Sequence, residues 1–230
     1  MVFRWAWVWG NVPASVASPA GAGIACRTNR RHLFRIVNEN LDERPRLDAR
    51  TERTYRALSA AMVELLQTRE FDSITVQDLL DRAGVGRSTF YSHFRNKDDF
   101  LLTDLERMLS LTEAHFDRTV GTSRRVAPIA ELFAHFGESR DFADALSRAG
   151  RMEAILDIAS GHLARIIERR LRELGVAPRE LPLSATARVF GAMAMELAKW
   201  WMGRSAQFTA KQMDERFHDL VWRGLNQQPS

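Results

Sequence analysis

From Ile74 to Leu101 the chain reads ITVQDLLDRAGVGRSTFYSHFRNKDDFL, and this run narrows the possible folds more than any other. Val76, Leu79, Leu80 and Ala83 recur at helical spacing, and Thr75 with Asp78 three residues on predicts a capped helix start. Gly84 can take the left-handed backbone that a sharp stop needs, so Ala83-Gly84-Val85-Gly86 ends that helix. A second short helix is predicted from Arg87 to Phe94. Two helices joined by a short glycine turn form a helix-turn-helix, whose second helix can enter a DNA major groove.

The second helix supports this face by face. At helical periodicity Phe90 and Phe94 fall on one side and must pack inward, whereas Ser88, Thr89 and Ser92 fall opposite, flanked by Tyr91 and His93. A small, hydroxyl-rich face suits hydrogen bonds to phosphates and base edges. From Gly84 to Lys97 the charged residues are Arg87, Arg95 and Lys97, with no carboxylate. Surface helices usually mix both signs, so this excess fits a polyanionic partner.

These residues resemble the N-terminal DNA-binding domain of the TetR family of bacterial transcriptional regulators. The resemblance rests on Ile74-Thr75-Val76, Ala83-Gly84-Val85, Thr89-Phe90-Tyr91, His93-Phe94 and Asn96-Lys97 before Leu101. Upstream, Thr51 to Phe71 is similar to the family's first helix, ending in the Phe that plugs a three-helix core. The match covers Arg50 to about Leu102; beyond it, length and helix pattern alone carry the likeness. Gly86 departs from the common pattern, standing where a Ser or similar cap often begins the recognition helix, and Asp99-Phe100 replaces an acidic-Leu pair.

The resemblance implies that Thr89, Tyr91, His93 and Lys97 touch DNA, Tyr91 and Lys97 through phosphates. Thr75, at a helix N-terminus, is a further phosphate candidate. Base reading falls to Gln77, Arg87, Ser88 and Thr89, with Arg50 and Arg53 in a basic lead-in. Arg87 can fork onto guanine O6 and N7, or equally sit on a phosphate or in solvent. Tyr91 has an alternative as a ring packed on the first helix, and Gln77 as a solvated side chain. Phe71, Leu79, Phe90 and Phe94 belong to the core.

Charge is distributed to match. The net +4 resides in residues 1–50, and residues 51–230 are balanced. Of 33 basic residues only Lys97, Lys199 and Lys211 are lysines, as expected from a GC-rich genome. With Cys26 the only cysteine, no intrachain disulfide or thiolate cluster can form. No run approaches about 18 apolar residues, so no membrane span or membrane partner is expected. Residues 1–45 imitate a signal peptide poorly and read as a disordered extension. Residues 46–96 are the expected DNA-binding domain, and 97–226 a ligand-binding and dimerisation domain.

From Lys97 onward everything reads helical: about 97–118, 128–137, 142–149, 152–174, 185–202 and a last helix from Thr209 to Leu225. The fold class is all-α, a three-helix head plus a larger helical domain, about nine helices in all. Phe190, Met193, Leu197, Trp200 and Trp201 crowd one side of one C-terminal helix, as do Met213, Phe217, Leu220, Val221 and Leu225 on the next. By periodicity this is one edge of a monomer core or an interface. The ending also resembles one TetR subgroup, where two helices per subunit make a four-helix dimer interface, implying interface roles for Phe190, Met193, Leu197, Trp201, Phe217, Leu220, Val221 and Leu225.

In this family the second domain encloses a small-molecule pocket. Met108, Leu111, Phe133, Phe136, Met152, Leu156 and Trp200 are pocket candidates here, each equally explained as core. No cofactor, metal site or catalytic motif is expected, since His115, His135, His162 and His218 stand singly and no G-x-S-x-G, P-loop or H-E-x-x-H occurs. The expected function is a cytoplasmic, nucleoid-associated homodimeric repressor, released from a near-palindromic double-stranded DNA operator by a small-molecule effector. The competing reading is an architectural or regulatory DNA-binding protein without small-molecule control, which the large second domain disfavours.

Overall fold

The computed structural model describes residues 49–178, 181–203 and 208–225. The extension expected over residues 1–45, with Cys26, Arg44 and Arg46, lies outside the described residues. Among the described residues the chain is all-helical, as the periodicity predicts. The elements are α1 (Ala49–Leu66), a 3-10 turn (Phe71–Ser73), α2 (Val76–Ala83), α3 (Arg87–Tyr91), α4 (Lys97–Thr119), α5 (Ile129–Glu138), α6 (Arg140–Arg148), α7 (Met152–Glu173), α8 (Leu183–Met202) and α9 (Ala210–Gly224). They divide into two compact units, one running to Lys97 and including Arg148–Gly150, the other holding Asp98–Ser147 and the residues from Arg151 on.

The first unit is built on aromatic and aliphatic residues that are almost wholly buried: Leu58, Met62, Phe71, Ile74, Leu79, Phe90 and Phe94. Burying each such side chain contributes about 1.5–3 kcal/mol. Gly84 closes α2 at φ +64°, and the N–H groups of Gly84 and Val85 both return to the Leu80 carbonyl. That left-handed residue is what the turn requires of glycine. α3 has only five residues, shorter than the predicted span to Phe94. The Ser92 hydroxyl donates back to the Thr89 carbonyl (2.8 Å), competing with the helical ladder there. His93 and Phe94 N–H groups both bond the Phe90 carbonyl (2.9 Å each), and this tighter turn carries Phe94 inward. Isolated helices below about 12–15 residues are marginal in water, so α3 owes its shape to docking through Phe90 and Phe94.

In the second unit α7 and α8 approach backbone to backbone. A Cβ built on Gly191 would lie 2.6 Å from the Ser160 carbonyl oxygen and 3.1 Å from the Ala164 nitrogen. α9 packs on α5, and its Met213, Phe217, Val221 and Trp222 are buried. A polar network joins α9 to the segment before α5. Asp214 Oδ1 accepts from Arg125 Nη2 and from the Ala130 N–H (3.0 Å each), and Arg125 also pairs with Glu131 at 2.6 Å. The Val126 N–H donates to His218 Nε2 (3.0 Å), so that nitrogen is bare, and Nδ1–H donates to the Asp214 carbonyl (2.8 Å). Burial alone would raise the Asp214 pKa, but hydrogen bonding from His218 and Arg125, with the charge of Arg125, outweighs it and holds it below the usual range.

Three helix starts differ from expectation. α5 begins at Ile129, α6 at Arg140, and α8 at Leu183 in place of Ala185. Pro182, with φ −53°, precedes α8, and its carbonyl takes the first helical bond from Thr186 N–H (3.0 Å). Proline's fixed φ and missing N–H suit a helix entrance, so it displaces Ser184 as the start. Thr209 caps α9 as predicted, in a reciprocal box with Gln212.

Candidate nucleic-acid interface

The start of α2 is where a phosphate is expected to bind Thr75. There the chain supplies its own anion. The Thr75 N–H and hydroxyl both donate to Asp78 Oδ2 (2.7 and 2.6 Å), and the Asp78 N–H returns to Thr75 Oγ1 (3.1 Å). Arg69 adds an ion pair to Asp78 at 3.1 Å. Hydrogen bonds from Thr75, then from Arg69, hold the Asp78 carboxyl well below the usual range. Thr75 is therefore a helix cap whose N–H and hydroxyl are turned to Asp78.

Lys97 is turned the same way. Its Nζ donates to the carbonyls of Phe71 and Ile74 (2.6 Å each), lies 3.3 Å from that of Asp72, and sits 4.6 Å from the Phe71 ring centroid. An ammonium has three protons, and the 71–74 turn offers three carbonyls. Lys97 thus clamps the turn that leads into α2.

α3 presents the opposite case. Gly86 precedes it at φ −70°, an ordinary conformation, with no side-chain cap. Arg87, Ser88, Ser92 and His93 are exposed, Thr89 is half-buried, and Tyr91 is 54% exposed with its ring edge-on to Phe90. The tyrosine packed against the core is Tyr55, whose ring meets Phe94 edge-on at 5.2 Å. Tyr91 is thereby available at the surface, and its alternative as a packing residue falls. Arg50 and Arg53 are exposed on α1.

Two proposed base readers touch each other. Arg87 Nε donates to Gln77 Oε1 (2.8 Å), and Gln77 Nε2 donates to Asp81 Oδ1 (2.6 Å). Sequence reasoning missed Asp81, although its i, i+4 spacing from Gln77 on α2 is the signal that pairs them. The unit thus displays a small polar face on one short helix, with an arginine guanidinium at its N-terminal edge.

Residues 58–103 match the family model for bacterial regulatory proteins, tetR family. Over that segment the chain is similar to TetR-family regulators. Over 56 residues it is 43% identical to the uncharacterized HTH-type transcriptional regulator YwcC of Bacillus subtilis, 24% of this chain and 25% of that protein. A longer match, 28% identical over 156 residues, joins it to the HTH-type transcriptional regulator EthR of Mycobacterium tuberculosis, covering 60% of this chain and 70% of that one. The match to YwcC thus spans about a quarter of that relative's length. Among solved structures, the transcriptional regulator FadR from Bacillus subtilis in complex with stearoyl-CoA superposes with a TM-score of 0.53 at 15% identity, over 76% of this chain and 98% of that one. At that identity the likeness concerns the fold.

The second unit sorts the remaining candidates. Met108, Phe133 and Leu156 are buried, and Phe136 and Met152 are half-buried. Leu111 and Trp200 are 42% and 37% exposed. Trp200 stacks on Phe208, ring centroids 6.1 Å apart. Of the interface candidates, Phe190, Trp201, Phe217 and Val221 are buried within the protomer, Met193, Leu197 and Leu225 are half-buried, and Leu220 is exposed. Phe217 and Val221 in particular are fully buried core residues of α9. Sequence periodicity missed Val189, 56% exposed on α8, because a β-branched apolar residue on a helix reads as core by default. No helix among the described residues is long and apolar enough to cross a membrane.

Proposed function

We propose that this chain is a cytoplasmic, dimeric transcriptional repressor that holds a near-palindromic operator and is released by a small-molecule effector. The observation that carries the DNA-binding part is the exposed α3 face, with Arg87, Ser88, Tyr91, Ser92 and His93 outward while Phe90 and Phe94 anchor it from behind. Charge on that helix is wholly positive, so phosphate attraction and base contact act in one place. Val189, Met193 and Trp200, spaced four and seven residues apart, line one side of α8, and Leu220 is exposed on α9; these apolar side chains support pairing with a second copy. A two-fold dimer reads half-sites about 34–36 Å apart or a multiple of that. The effector reading rests on the size of the second unit and on FadR, a protein of the same architecture seen with stearoyl-CoA. An effector acts by binding one of two conformations more tightly.

The test is selection of bound sequences from random duplex DNA by the purified chain, followed by gel-shift titration and sedimentation of the complex. Recovery of a near-palindrome bound by two copies is the expected result. Weak, salt-sensitive binding without a preferred sequence refutes operator recognition. Val189→Asp and Leu220→Asp are expected to shift the free protein to monomer; an unchanged sedimentation coefficient refutes the α8–α9 pairing.

A further inference from the structure

We infer that Asp81 is a positioning residue for sequence readout, acting through Gln77 to set the guanidinium of Arg87. The inference rests on the proposed base reading by Arg87 and concerns how that reading is made selective. Three exposed side chains form one line: Asp81 Oδ1 accepts from Gln77 Nε2 at 2.6 Å, and Gln77 Oε1 accepts from Arg87 Nε at 2.8 Å. A carboxylate only accepts, so it bonds the NH₂ end of the Gln77 amide and turns the oxygen end outward. That oxygen takes the Nε–H of Arg87. Because the guanidinium is planar, holding Nε fixes the plane and leaves the Nη1–Nη2 edge for a base. A guanine is recognised by such a fork onto O6 and N7.

Each link needs the one before it. Without Asp81 the Gln77 amide is held at one end only, by the Nε–H of Arg87, and is free to swing off the line or to flip. The fork is then ordered only part of the time, and discrimination weakens without loss of any atom that touches DNA. Asp81 stands on α2, outside the carboxylate-free run, so its signal was i, i+4 spacing and not charge patterning.

The test uses the full chain and the duplex recovered from random DNA, together with variants of that duplex changed at one base pair at a time. Arg87→Ala identifies the position whose preference it relaxes; a bidentate contact is worth roughly 5- to 150-fold there. At that position Asp81→Ala is expected to lower the ratio of preferred to changed duplex about three- to tenfold, part of that same range. Asp81→Asn keeps an acceptor oxygen but loses the charge, and is expected to hold the ratio within about twofold of the parent chain. In an Arg87→Ala background Asp81→Ala adds nothing further, the signature of a shared pathway. Thermal melts confirm that the exposed substitutions leave the head folded.

If both Asp81 variants change affinity for all duplexes by one common factor and leave preference intact, Asp81 acts only as a like charge near phosphate and the inference is overturned. If Arg87→Ala relaxes no position although a preferred duplex exists, Arg87 does not read a base, and the positioning role falls while operator binding stands. If random DNA yields no preferred duplex, the operator reading fails and takes the inference with it.

Discussion

Replacing Lys97 with Met separates two tasks that one lysine can perform. In the structure its ammonium holds the carbonyls of Phe71 and Ile74 at 2.6 Å and approaches that of Asp72 at 3.3 Å, with the Phe71 ring beneath. Hydrogen bonds to a charged group contribute about 1.5–3 kcal/mol each in net terms. The Phe71 carbonyl keeps a second partner, the Ile74 N–H at 3.1 Å, and half-buried sites admit water, so the sum is well below twofold additive. The loss for Lys97→Met is therefore about 2–3 kcal/mol of head stability. It reads as a roughly 30- to 150-fold faster amide exchange over residues 71–94, since every 1.4 kcal/mol is about tenfold in a population. Amide exchange over α7 to α9, which lie in the second unit, is expected to stay unchanged and so localises the effect. A phosphate contact predicts something else: unchanged exchange, and a salt slope of operator binding shallower by about 0.9. That pair of results would refute the clamp.

The remaining predictions concern the second unit. Thr209→Ala breaks the capping box of α9 and is expected to lower stability by about 1 kcal/mol in urea denaturation; no shift in midpoint refutes the cap as a contributor. Gly191→Ala drives a methyl into the Ser160 carbonyl at 2.6 Å and should cost about 1–3 kcal/mol. Gly161→Ala on the facing α7 meets nothing within 4 Å and should stabilise by about 0.5–1 kcal/mol; equal melting of the two variants contradicts the packing argument. Asp214 has its folded pKa lowered, so its contribution is full above the unfolded value of about 3.9 and is lost as pH falls through the folded one. Asp214→Asn should thus destabilise at pH 7 and differ less from the parent chain in acid; a pH-independent difference measured by urea denaturation shows that the charge plays no part.

Much of the head was legible because its signals are local. Thr75 and Asp78 lie three residues apart, Gly84 ends a stripe, and Phe90 and Phe94 share a face, all within one or two helical turns. What stayed hidden depends on contacts between residues distant in sequence. Lys97 looks like a surface cation until the 71–74 turn is brought to it, 23 to 26 residues upstream. Trp201, Phe217 and Val221 fit a dimer seam as well as a core by periodicity, and only packing within the protomer assigns them inward. Asp214 and His218 look like an ordinary exposed i, i+4 pair, yet their partners Arg125, Val126 and Ala130 lie more than 80 residues away. Gly86 carries the reverse lesson. Its φ of −70° suits any residue, and a Cβ there would come no closer than 4.0 Å to Thr89 Oγ1, so the absent cap is a matter of sequence and not of geometry.

The anchoring of α3 from behind by Phe90 and Phe94 has an evolutionary consequence. Its outward residues Arg87, Ser88, Ser92 and His93 are exposed and contribute little to folding. Surface changes of that kind usually alter stability by no more than about 0.5 kcal/mol. Substitutions there can move the preferred DNA sequence without passing through an unfolded intermediate. A duplicated copy of such a gene can therefore explore new targets one base at a time while its fold stays protected.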